Sequence, residues 1–240
     1  MSLYENLAPV YDELFPLNPA TIDFLQGSTS GDGGRRKALD LGSATGDHAL
    51  ALAALGWELT AVEPSSLLAE ASRKKASASG LPVTTILGDM RDLGNFVEPG
   101  SQDLVLCLGN TLPHLESMAE IEDLLGKARK ALRQGGSLIL QLINFSLTRE
   151  GFVFPVIKKG STEFARSYTE GSKGRIGFDT RLTIEGRGTW RDRTELFPIA
   201  PRALGAALAK SGFASTERYS NWERESFEED SSRFLIIAAR

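Results

Sequence analysis

The chain has one cysteine and two histidines in 240 residues. Cys107 has no second thiol to pair with, so a disulfide framework is excluded, and its apolar neighbours mark it as a small buried residue. No spacing of His48, His114 and carboxylates matches a zinc site, so no metal is expected. Long apolar runs are also missing. Unbroken stretches such as 104–108 and 234–239 fall far short of the ~20 residues that cross a bilayer, and no membrane span is expected. No basic residue precedes Arg35, while Glu5, Asp12 and Glu13 are acidic, which is unlike a secretory signal; a cytoplasmic location is expected. Excess positive charge is absent too: 27 Lys and Arg stand against 31 Asp and Glu, a net charge of −4. Such a field mildly repels a polyanion, so nucleic acid is not an expected partner.

What the chain does have is ordinary globular substance. Residues of the AVILMFWYC set make up 41%, with 24 glycines besides, enough for a sizeable core and too many for disorder. The Gly/Ser/Asp segment 27–34 reads as a loop between an N-terminal arm and the main fold. After it, apolar strands expected at 38–41, 59–62, 83–87 and 104–108 are separated by helical patterns at 49–55 and 67–78. A helix near 117–132 carries Ile121, Leu124, Leu125, Ala128 and Leu132 at helical spacing, with Gly135 and Gly136 as its expected stop, and an apolar strand follows at 137–143. This rhythm predicts a doubly wound α/β layer with a largely parallel sheet.

Residues 162–197 differ. Ile176, Phe178, Thr180, Leu182 and Ile184 fall on one side of a period-two pattern, and Gly-bearing breaks at 171–174 and 185–188 predict an antiparallel meander. Its six arginines (Arg166, Arg175, Arg181, Arg187, Arg191, Arg193) are matched by six carboxylates, which reads as a solvated sheet face. A helix from Pro201 to Gly212 and β-leaning stretches at 213–219 and 233–239 suggest a closing hairpin.

The chemistry concentrates at strand ends. Asp40-Leu41-Gly42-Ser43-Ala44-Thr45-Gly46 runs from a strand into a turn whose glycines let backbone approach a ligand. The spacing is Gly-x-x-x-Gly, not the Gly-x-Gly-x-x-Gly that seats a pyrophosphate. Glu63 ends the next strand, about twenty residues on, where a carboxylate can accept both hydroxyls of a ribose. Asp89 and Met90 follow the third strand, where an acid can receive an adenine amine and backbone can read the ring edge. Each of these acids alone also reads as a solvated strand-end residue. Asp40, Glu63 and Asp89 at three successive strand ends point to one nucleoside-like ligand.

On these residues the chain resembles the class I S-adenosylmethionine-dependent methyltransferases, over about 38–143. The resemblance implies a Rossmann-like fold: a doubly wound, seven-stranded, mostly parallel sheet, with an antiparallel insertion after strand five. It implies S-adenosylmethionine as cofactor, held by Asp40, Gly42, Ser43, Gly46, Glu63, Asp89 and Met90, with Ala44 replacing the usual middle glycine. The stretch Leu108-Gly109-Asn110-Thr111-Leu112-Pro113-His114-Leu115 is similar to one in glycine and sarcosine N-methyltransferases. It places Leu108 and Gly109 at the cofactor's amino-acid group and Asn110 and His114 near the transferring methyl as candidate catalytic residues. His114 also reads as a helix-start residue bonded to a carbonyl. The arginine that follows strand five in the glycine-methylating relatives is unmatched in 141–146, which argues against glycine as acceptor.

The arm, Tyr4 to Asp12, is similar to a segment that covers the cofactor in small-molecule methyltransferases, and the faces of Tyr4 and Tyr11 suit a sulfonium cation. A Tyr pair that merely anchors the arm is the other reading. The expected organisation is an arm and loop at 1–34, a methyltransferase domain at 35–160 and 198–240, and a lid at 161–197 in which Tyr168, Phe178 and Trp190 face an acceptor or pack a lid core. The expected activity is methyl transfer to a small molecule, nitrogen favoured, by a monomer or homodimer. The alternatives are a nicotinamide-dependent oxidoreductase and a non-catalytic module that binds an adenosyl ligand.

Overall fold

The computed structural model describes residues 6–29, 36–148 and 154–240. Its main sheet has seven strands: β1 (Lys37–Leu41), β2 (Glu58–Glu63), β3 (Val83–Leu87), β4 (Gln102–Cys107), β5 (Leu132–Ile143), β10 (Thr216–Tyr219) and β11 (Phe234–Ala239), in the order β10-β11-β5-β4-β1-β2-β3. The first five run parallel, while β11 is antiparallel to β5 and β10 to β11, so the chain's last two strands form the closing hairpin. The strands alternate by face, as a pleated backbone requires. Leu39, Val105 and Cys107 enter a core on one side, and Ala38, Leu104 and Leu106 enter a second core on the other. Burial on both faces explains the near-continuous apolar runs.

Helices cover each face. Helix α2 (Pro19–Gln26) is capped by the Asn18 side chain, which accepts from the Ala20 N–H, and puts Phe24 and Leu25 in the second core beside α3 (Asp47–Ala54). Helix α4 (Ser66–Ser79) packs on β2 and β3. Helix α5 (Met118–Ala131), capped by Ser117, and α6 (Pro201–Lys210) bury Leu124, Leu125, Leu204 and Leu208 in the first core. A short helix, α1 (Tyr11–Leu14), precedes these. Among the described residues, no helix is long and apolar enough to cross a membrane.

Gly135 and Gly136 do not stop the helix before them. The helix ends at Ala131, and β5 begins at once with Leu132, so both glycines lie inside the strand. The pairing with β4 slips there, from Gln102 opposite Leu132 to Leu104 opposite Ser137, and Gly135 has φ +76°. The pair therefore forms a bulge, where left-handed backbone is needed in a strand rather than after a helix.

After β5 comes a separate antiparallel sheet, β6 (Ile157–Lys159), β7 (Thr162–Glu170), β8 (Ile176–Ile184) and β9 (Gly188–Leu196). Leu7 and Leu14 of the N-terminal segment pack against its Phe164, Leu182 and Ile184. Its far end docks on the turn after β4, where the Phe197 N–H donates to the Pro113 carbonyl (2.8 Å) and Arg175 donates to the Glu116 and Glu195 carbonyls. The small sheet and the arm thus roof the C-terminal edge of the main sheet.

Candidate active site

Under that roof lies a cavity of about 870 Å³, open at the carboxyl ends of β1 to β5. Open α/β sheets bind ligands at this edge because strands end there and helices begin. The floor is the turn after β1. Gly42 and Gly46 have φ +71° and +82°. A side chain at Gly42 would meet Thr111 Cγ2 at 2.5 Å, and one at Gly46 would collide with Ser72 Oγ. Both N–H groups of Gly42 and Ser43 donate to the Val62 carbonyl, pinning the turn to β2.

Glu63 holds the turn from the other side. Its Oε2 accepts from the Ala44 N–H and its Oε1 from the Ser65 N–H, each at 2.9 Å. Burial pushes the carboxyl pKa up, and the two N–H donors pull it down. Each oxygen keeps a lone-pair site for a further donor. Asp40, at the buried end of β1, is driven up to about 7 by desolvation and by the neighbouring Glu63.

The raised Asp40 value has a stability consequence. The folded state binds the Asp40 proton more tightly than the unfolded chain does, so its contribution is full below the ordinary value near 3.8 and is lost as pH rises to about 7. We predict that Asp40→Asn abolishes this decline, with the variant gaining about 2 kcal/mol on the parent between pH 4 and pH 7 in chemical denaturation, since a tenfold change in proton affinity is worth ~1.4 kcal/mol and local relaxation recovers part of it. Parallel curves for the two proteins would show that Asp40 ionises normally.

Three buried polar atoms around the turn, Asp40 Oδ2, Ser43 Oγ and Ser65 Oγ, have no hydrogen-bond partner among the described residues, and their residues all line the cavity. Buried polar atoms cost free energy unless paired, so this end of the cavity is built for a polar ligand. Asp89 also reaches the cavity and, like Glu63, takes one donor on each oxygen: Oδ1 caps the short turn Met90–Asn95 through the Arg91 N–H, and Oδ2 pairs with Arg91 Nη1, both at 2.9 Å. Met90 lines the cavity beside it.

The tip of β4 is sewn to β5. The Gly109 N–H donates to Gln141 Oε1 (2.7 Å), the Asn110 N–H to the Gln141 carbonyl (3.1 Å), and the Ile143 N–H to Asn110 Oδ1 (3.0 Å). The Leu108 carbonyl accepts from Thr111 Oγ1. Gly109 and Asn110 both have positive φ, +66° and +63°, a conformation that Asn tolerates better than other side chains. The Leu108 carbonyl and the Gly109 N–H thus each have a partner within the protein. Asn110 has its oxygen committed and its amide N–H₂ left to act. His114 ends the short turn Leu112–His114, lines the cavity, and is held neutral by burial, which lowers its pKa; His48 is buried and lowered likewise.

The N-terminal segment is clamped to this floor. Thr45 Oγ1 donates to Asp12, and Lys75 bridges Asp12 and Asp47. Tyr11 lines the cavity and packs on Phe15, whereas Tyr4 lies outside the described residues.

The small sheet supplies the opposite wall. Tyr168 and Phe178 stack at 5.2 Å and line the cavity. Trp190 is not among the lining residues; paired with Leu182 on the same inward face, it sits nearer the arm and packs on the cluster of Leu7, Phe164 and Leu182. The expectation that all six meander arginines face solvent fails at Arg166. Phe164, Arg166 and Tyr168 occupy alternate positions of β7 and therefore share its inward face, and all three line the cavity. The Arg166 guanidinium carbon sits 4.5 Å over the Phe154 ring and 5.9 Å from Phe15. Its Nε is buried without a partner, and burial pushes its pKa down. The Arg166 signal was present in that alternation; Phe15, His48 and Lys75 left no comparable mark.

Residues 38–136 match a family model described as a methyltransferase domain. Over 215 residues, 86% of this chain and 77% of the relative, the chain is 28% identical to a glycine/sarcosine N-methyltransferase of Aphanothece halophytica. The CcbJ methyltransferase from Streptomyces caelestis superposes with a TM-score of 0.81 at 25% identity, covering 100% of this chain and 98% of that one. CalS10, an amino pentose methyltransferase from Micromonospora echinaspora solved with its methyl donor, shares the fold with a TM-score of 0.71 at 21% identity, covering 100% of this chain and 97% of that one.

Proposed function

We propose, from the premise that the chain is a class I S-adenosylmethionine-dependent methyltransferase, that it methylates a nitrogen atom of a small-molecule amine. The observation that carries this reading is the two-ended cavity: buried, unpartnered oxygens of Asp40, Ser43 and Ser65 at the turn after β1, an aromatic wall of Phe154, Tyr168 and Phe178 opposite, and Asn110 and His114 in the same lining. The names of two relatives, a glycine/sarcosine N-methyltransferase and an amino pentose methyltransferase, support nitrogen. No arginine occurs in 141–146, and Gln141, within β5, is spent on the Gly109 N–H.

Glu63, with a free lone pair on each oxygen, is suited to the two ribose hydroxyls of the donor, and Asp40 with the Ser43 and Ser65 hydroxyls to its remaining polar groups. The donor supplies a methyl group activated as a sulfonium. The protein's share is alignment and exclusion of water, which the clamped arm and the small sheet provide. An amine attacks once deprotonated and needs no strong base. Neutral His114 can take the proton released, and the Asn110 amide can orient the acceptor lone pair. The turn has Gly-x-x-x-Gly spacing and Glu63 against Ala44, without the glycine pattern of a pyrophosphate cradle, which argues against a nicotinamide cofactor.

Incubation with methyl-labelled donor and a panel of small amines and phenols tests the reading. The expected result is label on nitrogen, with one S-adenosylhomocysteine formed per product. Label only on oxygen would overturn the choice of atom. Tight binding of S-adenosylhomocysteine with no transfer to any acceptor would favour a non-catalytic module.

A further inference from the structure

Among the described residues that line the cavity, Arg166 is a cation with no carboxylate partner. Arg166 points inward from β7 between two aromatic residues, Phe154 and Phe15, and among the described residues no carboxylate lies within ion-pair distance of it. Two other arginines of the same small sheet are paired, Arg181 with Glu163 at 3.0 Å and Arg193 with Asp179 at 2.9 Å, and Arg191 is exposed to water. A half-buried guanidinium without a counter-charge is costly, and its planar fork matches a carboxylate in two-point geometry.

The position of Arg166 separates it from the nucleoside end. Phe154, which it covers, stacks on Phe234 at 6.3 Å, and Phe234 is paired with Ile143 at the end of β5. Asp40, Glu63 and Asp89 end β1, β2 and β3, on the other side of β4. With strands about 4.8 Å apart, the β5 end lies about 10 Å from β1 and about 19 Å from β3. The walls around the arginine are broad and aromatic: Phe15, Phe154, Phe164, Tyr168 and Phe178.

We propose that the acceptor carries a carboxylate that docks on Arg166 and an apolar, ring-sized body that lies against the aromatic wall. This deepens the methyltransferase reading and rests on it. The acceptor class is therefore an amine bearing an acid group on an aromatic or comparably bulky frame, larger than a simple amino acid.

The probes are 3-phenylpropanoate and its neutral isostere 3-phenylpropanamide, titrated calorimetrically into protein with and without saturating S-adenosylhomocysteine. The acid is expected to bind at least tenfold more tightly than the amide. Arg166→Met should cut acid affinity at least tenfold, leave amide affinity and S-adenosylhomocysteine affinity within twofold, and leave the thermal midpoint no lower than that of the parent. Arg166→Lys, which keeps charge without the fork, should fall between. Equal affinity for acid and amide, or binding of neither at millimolar concentration, overturns the proposal. So does an Arg166→Met variant that loses S-adenosylhomocysteine affinity in the same proportion, because the guanidinium then serves the donor's own carboxylate. Failure of the parent to bind S-adenosylhomocysteine is a separate result that strikes the methyltransferase reading itself, while the acid and amide titrations made without it still report on Arg166.

Discussion

Glu63→Ala is expected to weaken binding of S-adenosylhomocysteine by about ten- to a hundredfold, an effect that calorimetry against the parent checks. Charge-assisted hydrogen bonds contribute about 1.5–3 kcal/mol each, and every ~1.4 kcal/mol is tenfold in affinity. The lower bound applies if one ribose hydroxyl finds water instead. A second loss adds to the first, because the same carboxylate receives the Ala44 and Ser65 N–H groups. Without it the turn after β1 loses an anchor before any ligand arrives. Glu63→Gln keeps one acceptor oxygen and should fall between the two proteins. An affinity within threefold of the parent in Glu63→Ala would remove Glu63 from the ligand's contacts and leave it as a brace for the turn.

This double duty shows what the sequence could and could not convey. A carboxylate at a strand end about twenty residues past a glycine turn is visible in one dimension, because strand, turn and strand have fixed lengths. That Glu63 also fastens the turn is a tertiary fact. It depends on parallel pairing of β1 with β2, which brings Leu41 beside Val62 and the Ala44 N–H within reach. The same limit applies to Asp89. Its spacing marks the third strand end, but Arg91, two residues on, curls back to donate to each oxygen and leaves one lone-pair site on each. A local competitor of that kind looks like any other neighbouring charge along the chain.

The two sheets were legible because their periodicities differ: runs without alternation for strands buried on both faces, period two for the roof. The glycine pair at 135–136 misled because a bulge and a helix stop demand the same backbone freedom. Arg166 misled for another reason. Counting arginines against carboxylates averages over both faces of a strand, whereas alternate spacing of Phe164, Arg166 and Tyr168 resolves one face. The clamp among Asp12, Thr45 and Lys75 joins residues up to 63 positions apart, and no local pattern announces it.

Gly42→Ala is expected to destabilise the fold by about 3 kcal/mol and to abolish measurable donor binding. Left-handed backbone at φ +71° costs a non-glycine residue about 1–2 kcal/mol. The new methyl would sit 2.5 Å from Thr111 Cγ2 and 2.8 Å from Thr111 Oγ1, and overpacking of that kind costs about 1–3 kcal/mol. Thr111 cannot simply rotate away, since its hydroxyl donates to the Leu108 carbonyl and its backbone belongs to the β4 tip. Relief must come from the turn itself, which would shift Ser43 and Ala44 against Glu63. The counterpart is Ala44→Gly. Ala44 has φ +50°, so the usual middle glycine is replaced here by a residue under strain. Restoring glycine should raise stability by about 1 kcal/mol, or roughly 2–4 °C in thermal midpoint for a chain of this size, with donor affinity no lower. Opposite signs at two positions two residues apart in one turn separate conformational strain from loss of side-chain contacts. If Gly42→Ala melts within a degree of the parent, the close approach of the β1 turn to the β4 tip is not what shapes the floor of the site.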